Sequence, residues 1–416
     1  MNDSPPKAVI VYCIYCIVFI LIWLLPYLTE CIGITVADHL LVLPSNQKFF
    51  GSFPKKHVVG SKHLFSKCPL NPDDLLIDFT KIPNFASHNS PPRDIITNEQ
   101  TVRYSSITNA TFHHLRNLYV GSNLLTSNGT HIFRIGNDGS SSYWYRDQPG
   151  IVIANYTHVC AIGNVFSFYG HFFVDVVAPL MFIPEEYRNK SIIIINKLKP
   201  YKIEILTHLG FERKRLVNLQ RNNWIYAENI YTLTPHPIFR YPGITYKNIG
   251  ETLKKAYGVD KYKLCLYVVS NRAPSEIRKI KDFYYLVTCI RKQFPNYRWD
   301  IIPDKFKSFK EVALVYAQIK LIFTITGSNL VRILFMNPGS VVVSAQLNFN
   351  DYNMQAMALS NGVKYIAYFD PRYDHTHHGY LELDHKDVMR VIKIGLYAAV
   401  NGTIPKNSTE YPYVKM

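Results

Sequence analysis

Short apolar runs alternate with longer amphipathic segments over most of the chain after residue 150, which predicts an α/β protein. The run SIIIIN at 191–196 holds four successive isoleucines, as expected of a strand buried on both faces. Further strands are predicted at 150–156, 215–219, 229–233, 264–270, 297–302, 321–326, 340–345 and 363–369. Helices are predicted at 170–183, 201–209, 276–294 and 308–320, with a short one ending at 337–339. The strand–helix units between 264 and 345 predict a doubly wound parallel sheet.

The first apolar segment, residues 8–25, contains no charged residue. In a helix it would extend over about 27 Å, close to the hydrocarbon thickness of a bilayer, and it is longer than the apolar part of most cleaved signal peptides. Lys7 precedes it, and Glu30 and Asp38 follow it before the next cation. This predicts a single-pass signal anchor with a short cytosolic tail and a lumenal body, in the Golgi or endoplasmic reticulum. A long cleaved signal peptide is the alternative.

The 416 residues exceed the size at which one core keeps growing, so two domains are expected after the anchor. The predicted order is a cytosolic tail (1–7), a transmembrane anchor (8–28), a stem and irregular region (29–100), an N-terminal α/β domain (101–245), a C-terminal Rossmann-like domain (246–385), and a C-terminal helix and tail (386–416).

Composition excludes a disordered or fibrous chain, because 48% of the residues are hydrophobic and 14% are aromatic. The net charge of +16 is compatible with nucleic acid, an anionic membrane surface or an anionic small substrate, and a lumenal body argues against nucleic acid. N-glycosylation sequons begin at Asn109, Asn128, Asn155, Asn189, Asn401 and Asn407. Chance predicts roughly four in a chain so rich in Asn, so they are only compatible with the secretory pathway. Cys265 and Cys289 are expected in the core.

Polar residues follow two predicted strands of the second half, where open α/β sheets bind their ligands. Arginine guanidinium groups match phosphate or pyrophosphate, and small residues before a helix let backbone amides approach an anion. A structural ion pair and an ordinary strand–helix turn are the alternatives. The candidate donor-binding residues are Asn271, Arg272, Arg278, Thr326, Gly327, Ser328 and Asn329.

His171 and Asp175 lie four residues apart in a predicted helix, so they share one face and are within mutual reach. This pairing suits a general base, with either residue able to take the proton. A hydrogen-bonded pair that only fixes the helix is the alternative. No Asp-x-Asp motif occurs, so the usual carboxylate pair for a nucleotide-bound divalent cation is missing and no metal is expected.

Three segments, in this order, resemble glycosyltransferase family 61, which includes EGF-domain O-linked N-acetylglucosaminyltransferases and plant xylan glycosyltransferases. The first runs from Gly163-Asn164 through His171 and Asp175 to Pro179-Leu180. The second is Ser270-Asn271-Arg272 with Arg278 and Ile280. The third runs from Phe309 to Val343 and contains Leu334-Phe-Met-Asn-Pro-Gly-Ser340, which is similar to the family's Leu-Phe-Met-x-Pro-Gly element.

The resemblance implies a GT-B-like architecture of two Rossmann-like domains, with the donor nucleotide in the second half and the acceptor in the first. It implies inverting, metal-independent transfer of N-acetylglucosamine or a pentose from a nucleotide sugar, with a UDP-sugar expected, to a protein or glycan hydroxyl. Where the family usually has His-Gly-Ala-Gly-Leu-Thr-Asn, this chain has Thr326-Gly-Ser-Asn-Leu-Val-Arg332. A catalytically degenerate glycan-binding or surface adhesion protein of the same fold is therefore the alternative.

Overall fold

Two large sheets and the helices between them form the folded body of the protein. The computed structural model describes residues 41–43, 48–50, 53–78, 98–121, 125–133, 150–162, 169–220, 223–234, 242–347, 350–370, 372–373 and 377–405. The predicted anchor at 8–28 and the Gly163-Asn164 motif lie outside these residues. Among the helices described, none has the length and apolar character needed to cross a bilayer.

The first sheet has ten strands and is mixed. In spatial order they are Leu216–Val217, Ile192–Ile194, Gly150–Cys160, Asn223–Thr234, Ile107–Gly121, Thr126–Ser127, His131–Phe133 and Lys48–Phe50, with Leu41–Leu43 paired to Gly150–Cys160 and Val58–Lys67 paired to Ile107–Gly121. The four strands from Leu216–Val217 to Asn223–Thr234 run parallel, which confirms the strands predicted in this part of the sequence.

The long antiparallel strands Val58–Lys67 and Ile107–Gly121 were not predicted. They carry many polar residues, and several of their histidines form side-chain hydrogen bonds across the sheet. His113 Nε2 lies 2.8 Å from Thr234 Oγ1, and His114 Nε2 lies 2.8 Å from Asn229 Oδ1. The strand Val58–Lys67 and the strand Leu75–Asp78 both fall within the region 29–100 that was expected to be irregular.

The second sheet has six strands, all parallel. In spatial order they are Trp299–Ile302, Leu266–Ser270, Ile319–Ile325, Val341–Ala345, Lys364–Tyr368 and Leu75–Asp78. The first five confirm the predicted doubly wound sheet. The chain adds strands on one side of Leu266–Ser270 and then on the other, so the strand order reverses between Leu266–Ser270 and Ile319–Ile325. Such a reversal opens a crevice at the carboxyl ends of the two strands.

Helices cover both faces of the second sheet and join it to the first. The α-helices are Asn98–Ser106, Tyr169–His171, Ala178–Phe182, Glu185–Arg188, Pro200–His208, Ile244–Tyr257, Phe283–Gln293, Phe309–Tyr316, Tyr352–Ser360 and His385–Asn401; Phe172–Val177 is a π-helix, Lys55–His57, Pro72–Asp74, Arg213–Arg215 and Ser328–Phe335 are 3₁₀-helices, and Lys279–Ile280 pairs with Tyr380–Leu381 in a small third sheet.

One continuous core connects the two sheets. It includes Cys160 from the first sheet, Val342 from the second, and Phe172 and Tyr246 from the helices between them. The two halves are therefore packed together through apolar side chains rather than joined by a linker alone. Burial of this extent is the main stabilising term for such a contact.

The predicted helix 308–320 is shorter, Phe309–Tyr316, and only the Ser308 half of its capping box is formed. Ser308 Oγ accepts a hydrogen bond from the Glu311 backbone N–H at 3.2 Å, and the Glu311 carboxylate accepts one from the Lys307 N–H at 2.9 Å. The first bond satisfies an amide of the first helical turn, whereas the second reaches Lys307, one residue before the Ser308 N–H that a complete capping box would use.

The predicted helix 276–294 is wrong in its first part, because the helix begins only at Phe283. Arg278 and Asp282 have φ values of 59° and 52°, which a continuous right-handed helix does not allow. The prediction of two core cysteines is also wrong, since Cys265 is exposed and Cys289 is only partly buried. The four cysteines that the structure describes are free thiols.

Candidate active site

The predicted donor-binding segments meet at the crevice of the second sheet. Asn271 and Arg272 follow the strand Leu266–Ser270, and Gly327 follows the strand Ile319–Ile325. Asn271, Arg272 and Gly327 line one cleft, together with Asp304 and Asn329. Parallel strands that are neighbours end at the same edge, so residues far apart in sequence come together here.

Arg272 and Arg278 place two guanidinium groups against Gly327. A Cβ added at Gly327 would lie 2.5 Å from Arg272 Nη1 and 3.2 Å from Arg278 Nη2, so a side chain there would displace the Arg272 guanidinium. The backbone of Gly327, at φ 153° and ψ −179°, also lies in a region that only glycine adopts readily. The conformation therefore favours glycine, and the absence of a side chain lets both arginines lie against the backbone.

The two guanidinium groups have hydrogen-bonding capacity that the described residues do not use. Within this part of the chain, Nε and Nη1 of Arg272 and Nε of Arg278 are buried without an acceptor. The Arg272 side chain is only 12% exposed, and its acidic neighbour Glu276 is 3.7 Å away. A buried donor without a partner costs free energy, and an anion at the cleft would supply the missing acceptors.

Arg278 is held in a strained conformation beside a like charge. Its φ of 59° is unusual for a residue with a side chain, and strain of this kind persists where the surrounding structure fixes it. Burial and the positive charge of Arg272 lower the pKa of Arg278 to about 10, against the attraction of Asp351. The group remains a cation at neutral pH, and an anion bound between the two arginines would relieve their repulsion.

Asn271 and Asn329, both predicted to bind the donor, line the cleft and form hydrogen bonds within it. Asn271 Oδ1 accepts hydrogen bonds from the backbone N–H of Arg272 at 2.9 Å and of Ile280 at 2.8 Å, and Asn271 Nδ2 donates to the Ile280 carbonyl. This closes the loop that carries both arginines. Asn329 Nδ2 donates to the carboxylate of Asp304.

The pair predicted as general base is carried by a helical segment with a π-helical middle, Phe172–Val177, of a kind frequent at functional sites. Nδ1 of His171 lies 2.6 Å from Oδ2 of Asp175, which confirms that the two groups are within mutual reach. The Asp175 side chain is fully buried, whereas that of His171 is 25% exposed. A substrate can therefore reach the imidazole but not the carboxylate.

The His171 segment and the Thr326–Ser328 loop are in contact. A Cβ added at Gly170 would lie 3.1 Å from both Cβ and Oγ of Ser328. Gly170 immediately precedes His171, and Ser328 immediately follows the glycine that faces the arginines. The structure thus brings the candidate base and the candidate anion site, which are far apart in the chain, to one place.

Asp351 belongs to the same place and was not found from the sequence. Thr326 Oγ1 donates a hydrogen bond to Asp351 Oδ2 at 2.8 Å. Burial raises the pKa of Asp351, opposed by the Thr326 hydrogen bond and by the charges of Arg278 and His171. A lone aspartate after an irregular stretch carries no motif, so only the folded arrangement identifies it.

Arg332, which stands where the family usually has asparagine, is enclosed by aromatic rings rather than aimed at the cleft. Its guanidinium carbon lies 5.0 Å from the centre of the Phe306 ring, 5.9 Å from Tyr316 and 6.0 Å from Tyr169. Nη2 donates to the Asp304 carbonyl at 2.6 Å. This arginine links the His171 segment to the second sheet.

The predicted absence of a metal stays a prediction. Across the described ranges, no group of three or more His, Cys, Asp or Glu residues is placed to hold a metal ion. Of the predicted sequons, Asn109, Asn189 and Asn401 are exposed and Asn155 is half-buried in its strand. The Asn128 side chain accepts hydrogen bonds from the Thr130 and His131 amides, and Asn407 lies outside the described residues.

The stretch of sequence that carries the candidate site matches a known family of sugar-transferring enzymes. Residues 169–343 match the model of the family described as Glycosyltransferase 61, and this stretch runs from the helix of His171 into the strand Val341–Ala345. This match confirms the resemblance to glycosyltransferase family 61 that the sequence motifs predicted. A search of curated proteins gives no significant match.

Proposed function

We propose that the protein transfers a sugar from a nucleotide-sugar donor to a hydroxyl of a protein or glycan, with inversion and without a metal ion. The observation that carries this proposal is the pair of buried, partly unpaired guanidinium groups of Arg272 and Arg278 at the strand-order reversal. Pyrophosphate is the anion that fits two such planar donors. The imidazole that a substrate can reach lies across the same loop.

The proposal assigns the two halves different substrates in a GT-B-like architecture. The second sheet, with its six parallel strands, would hold the nucleotide. The first half, which carries His171 at the carboxyl side of its parallel strands, would hold the acceptor. The close contact of Gly170 with Ser328 supports a reaction centre between them.

In the proposed reaction, His171 removes the proton of the acceptor hydroxyl as its oxygen attacks the anomeric carbon. A bond forms between that oxygen and carbon, and the bond from the carbon to the diphosphate oxygen breaks with its electron pair passing to the diphosphate. Arg272 and Arg278 stabilise the charge that develops there. Asp175 orients the imidazole through the 2.6 Å contact with Nδ1 and stabilises the protonated ring.

The first test is binding of nucleoside diphosphates by the full chain. We expect UDP or GDP to raise the melting temperature, and Arg272→Ala or Arg278→Ala to abolish the rise. Arg298→Ala is the matched control, because Arg298 is 91% exposed and remote from the cleft. Absence of any shift with either nucleotide would refute the donor site.

Turnover of a nucleotide sugar distinguishes an enzyme from a degenerate glycan-binding protein. The degenerate alternative arises because Thr326 stands where the family usually has histidine. A screen of nucleotide sugars should find one whose hydrolysis or transfer is lost, by about 10²-fold or more, in His171→Ala while UDP or GDP binding is retained. Binding of the nucleotide sugars without turnover of any of them would favour the degenerate alternative.

We further propose that N-acetylglucosamine or a pentose is transferred from a UDP-sugar, and that residues 8–28 anchor a lumenal body in the Golgi or endoplasmic reticulum. The uncharged length of this segment supports the anchor. Protease treatment of sealed microsomes tests it. A lumenal body is protected until detergent is added, and digestion without detergent would contradict the topology.

A further inference from the structure

Asp351 is fixed beside the proposed reaction centre by the second sheet. It follows the strand Val341–Ala345 and directly precedes the helix Tyr352–Ser360. Its backbone N–H donates to Gln346 Oε1 at 3.0 Å, and its carboxylate accepts the Thr326 hydroxyl at 2.8 Å. The residue is partly buried, and the Thr326 that it bonds directly precedes Gly327 of the cleft.

Three consecutive residues, Thr326 to Ser328, connect Asp351 with the other parts of the site. The side chain of Thr326 binds Asp351, Gly327 lies against Arg272 and Arg278, and Ser328 lies against Gly170, the neighbour of His171. The carboxylate is therefore bonded to the loop that also contacts the arginines proposed for the pyrophosphate and the segment of the imidazole proposed for the acceptor. In a nucleotide sugar, the group between the pyrophosphate and the attacking hydroxyl is the sugar ring.

The Asp351 carboxylate accepts hydrogen bonds from the Thr326 hydroxyl and the Met354 backbone N–H, and these two donors do not fill its acceptor sites. A carboxylate has acceptor sites for about four hydrogen bonds, and a carboxylate taken from water without donors loses free energy. Sugar hydroxyls supply such donors in neighbouring pairs. A second carboxylate, by contrast, would repel it.

We propose that Asp351 binds hydroxyls of the transferred sugar and selects a neutral sugar over one that carries a carboxylate. This inference rests on the proposed function, since it assumes a nucleotide sugar in the cleft. The competing reading is that Asp351 serves only to hold Thr326 and the loop in place. The two readings differ in which part of the donor is affected when the carboxylate is changed.

The test measures the dissociation constants of UDP, UDP-N-acetylglucosamine, UDP-xylose and UDP-glucuronic acid by titration calorimetry, for the wild type, Asp351→Asn and Thr326→Val. Asp351→Asn keeps the shape and removes the charge. Thr326→Val removes the hydrogen bond between the two residues and keeps the carboxylate. We expect Asp351→Asn to leave the affinity for UDP within about twofold of wild type and to weaken binding of the best neutral UDP-sugar by about tenfold or more. The ratio of the affinities for that sugar and for UDP-glucuronic acid should fall by a similar factor. Thr326→Val changes a predicted donor-binding residue, so it should shift the affinities for UDP and for all the UDP-sugars by one common factor and keep the preference for the neutral sugar.

The outcomes separate the inference from the function on which it rests. If Asp351→Asn weakens UDP and the UDP-sugars equally, or leaves the preference unchanged, this inference is overturned while the donor site stands. If both variants narrow the preference alike, Asp351 acts only through the loop, and the inference is again overturned. If the wild type binds neither UDP nor any of the UDP-sugars, the proposed donor is refuted and the inference with it.

Discussion

Gly170 of the first half lies so close to Ser328 of the second that any side chain at position 170 would crowd it. An added Cβ would be 3.1 Å from the Ser328 Cβ and 3.2 Å from its Cα. Such distances oblige the neighbour to move by a few tenths of an ångström. Because Ser328 follows the glycine that faces the arginines, this contact couples the position of the base to the shape of the anion site.

Gly170→Ala should therefore weaken donor binding more than it changes stability. Alanine favours a helix over glycine by about 1 kcal/mol, and the crowding costs on the order of 1 kcal/mol in return. We expect the free energy of unfolding in urea to stay within about 1 kcal/mol of wild type, while UDP binds about tenfold more weakly. Combining the change with Ser328→Gly should restore most of the affinity. Wild-type affinity in the single variant would show that the contact is not tight in solution.

Gly327→Ala should remove donor binding altogether. The backbone there is glycine-specific, and the new methyl group would overlap Arg272 Nη1, so we expect a cost of about 1–3 kcal/mol in unfolding free energy and no detectable binding of UDP. Gly258→Ala is the matched control. Gly258 also has a positive φ of 69°, but open space surrounds its Cβ position. It should lose about 1 kcal/mol and keep its affinity, and equal losses of affinity in both variants would contradict the site-specific explanation.

Restoring the family's usual residue with Arg332→Asn should destabilise this protein. The side chain is 6% exposed, lies between aromatic rings and bonds the Asp304 carbonyl, so its loss leaves a cavity and an unpaired acceptor. Denaturation should show a drop of about 3 kcal/mol. Arg298→Asn, at a 91% exposed position, should change stability by less than about 0.5 kcal/mol. A stabilised Arg332→Asn would mean that the aromatic enclosure contributes nothing.

Lys254 should make stability rise with pH above 8. The side chain is 4% exposed, and burial lowers its pKa from 10.5 to about 8. Between these values the unfolded chain holds a proton that the folded chain has released, so the free energy of unfolding increases with pH across this window. Lys254→Met should remove that increase. The measurement is the difference in unfolding free energy between wild type and variant from about pH 8 to about pH 10, in which the contributions of the buried tyrosines cancel because both proteins contain them. Lys255→Met, exposed on the same helix, should follow the wild type. A constant difference would refute the assignment.

The parallel strands and the His171–Asp175 pair could be predicted because the sequence pattern of each lies within a few neighbouring residues. The isoleucines of 191–196 and the spacing of His171 and Asp175 each indicate their structure over a few residues. Asp351 and the strand Ile107–Gly121 could not be predicted, because they are defined by contacts with residues distant in sequence. Asp351 bonds Thr326, and His114 of the strand bonds Asn229. Asn271 shows a third case: the motif identifies a residue that lines the cleft, but its hydrogen bonds to the Ile280 backbone could not be predicted from the sequence.

The strand Leu75–Asp78 has a consequence for how the chain folds as it is synthesised. It pairs with Lys364–Tyr368, and Leu75 is opposite Tyr365. This strand leaves the ribosome before any other part of the second sheet, yet the strand that it pairs with emerges after all the rest of that sheet. The whole first half is therefore synthesised while this strand still lacks its partner strand. Neither half is then an independent folding unit, and we expect a fragment that starts after residue 100 to leave the edge at Lys364–Tyr368 open to pairing with other chains.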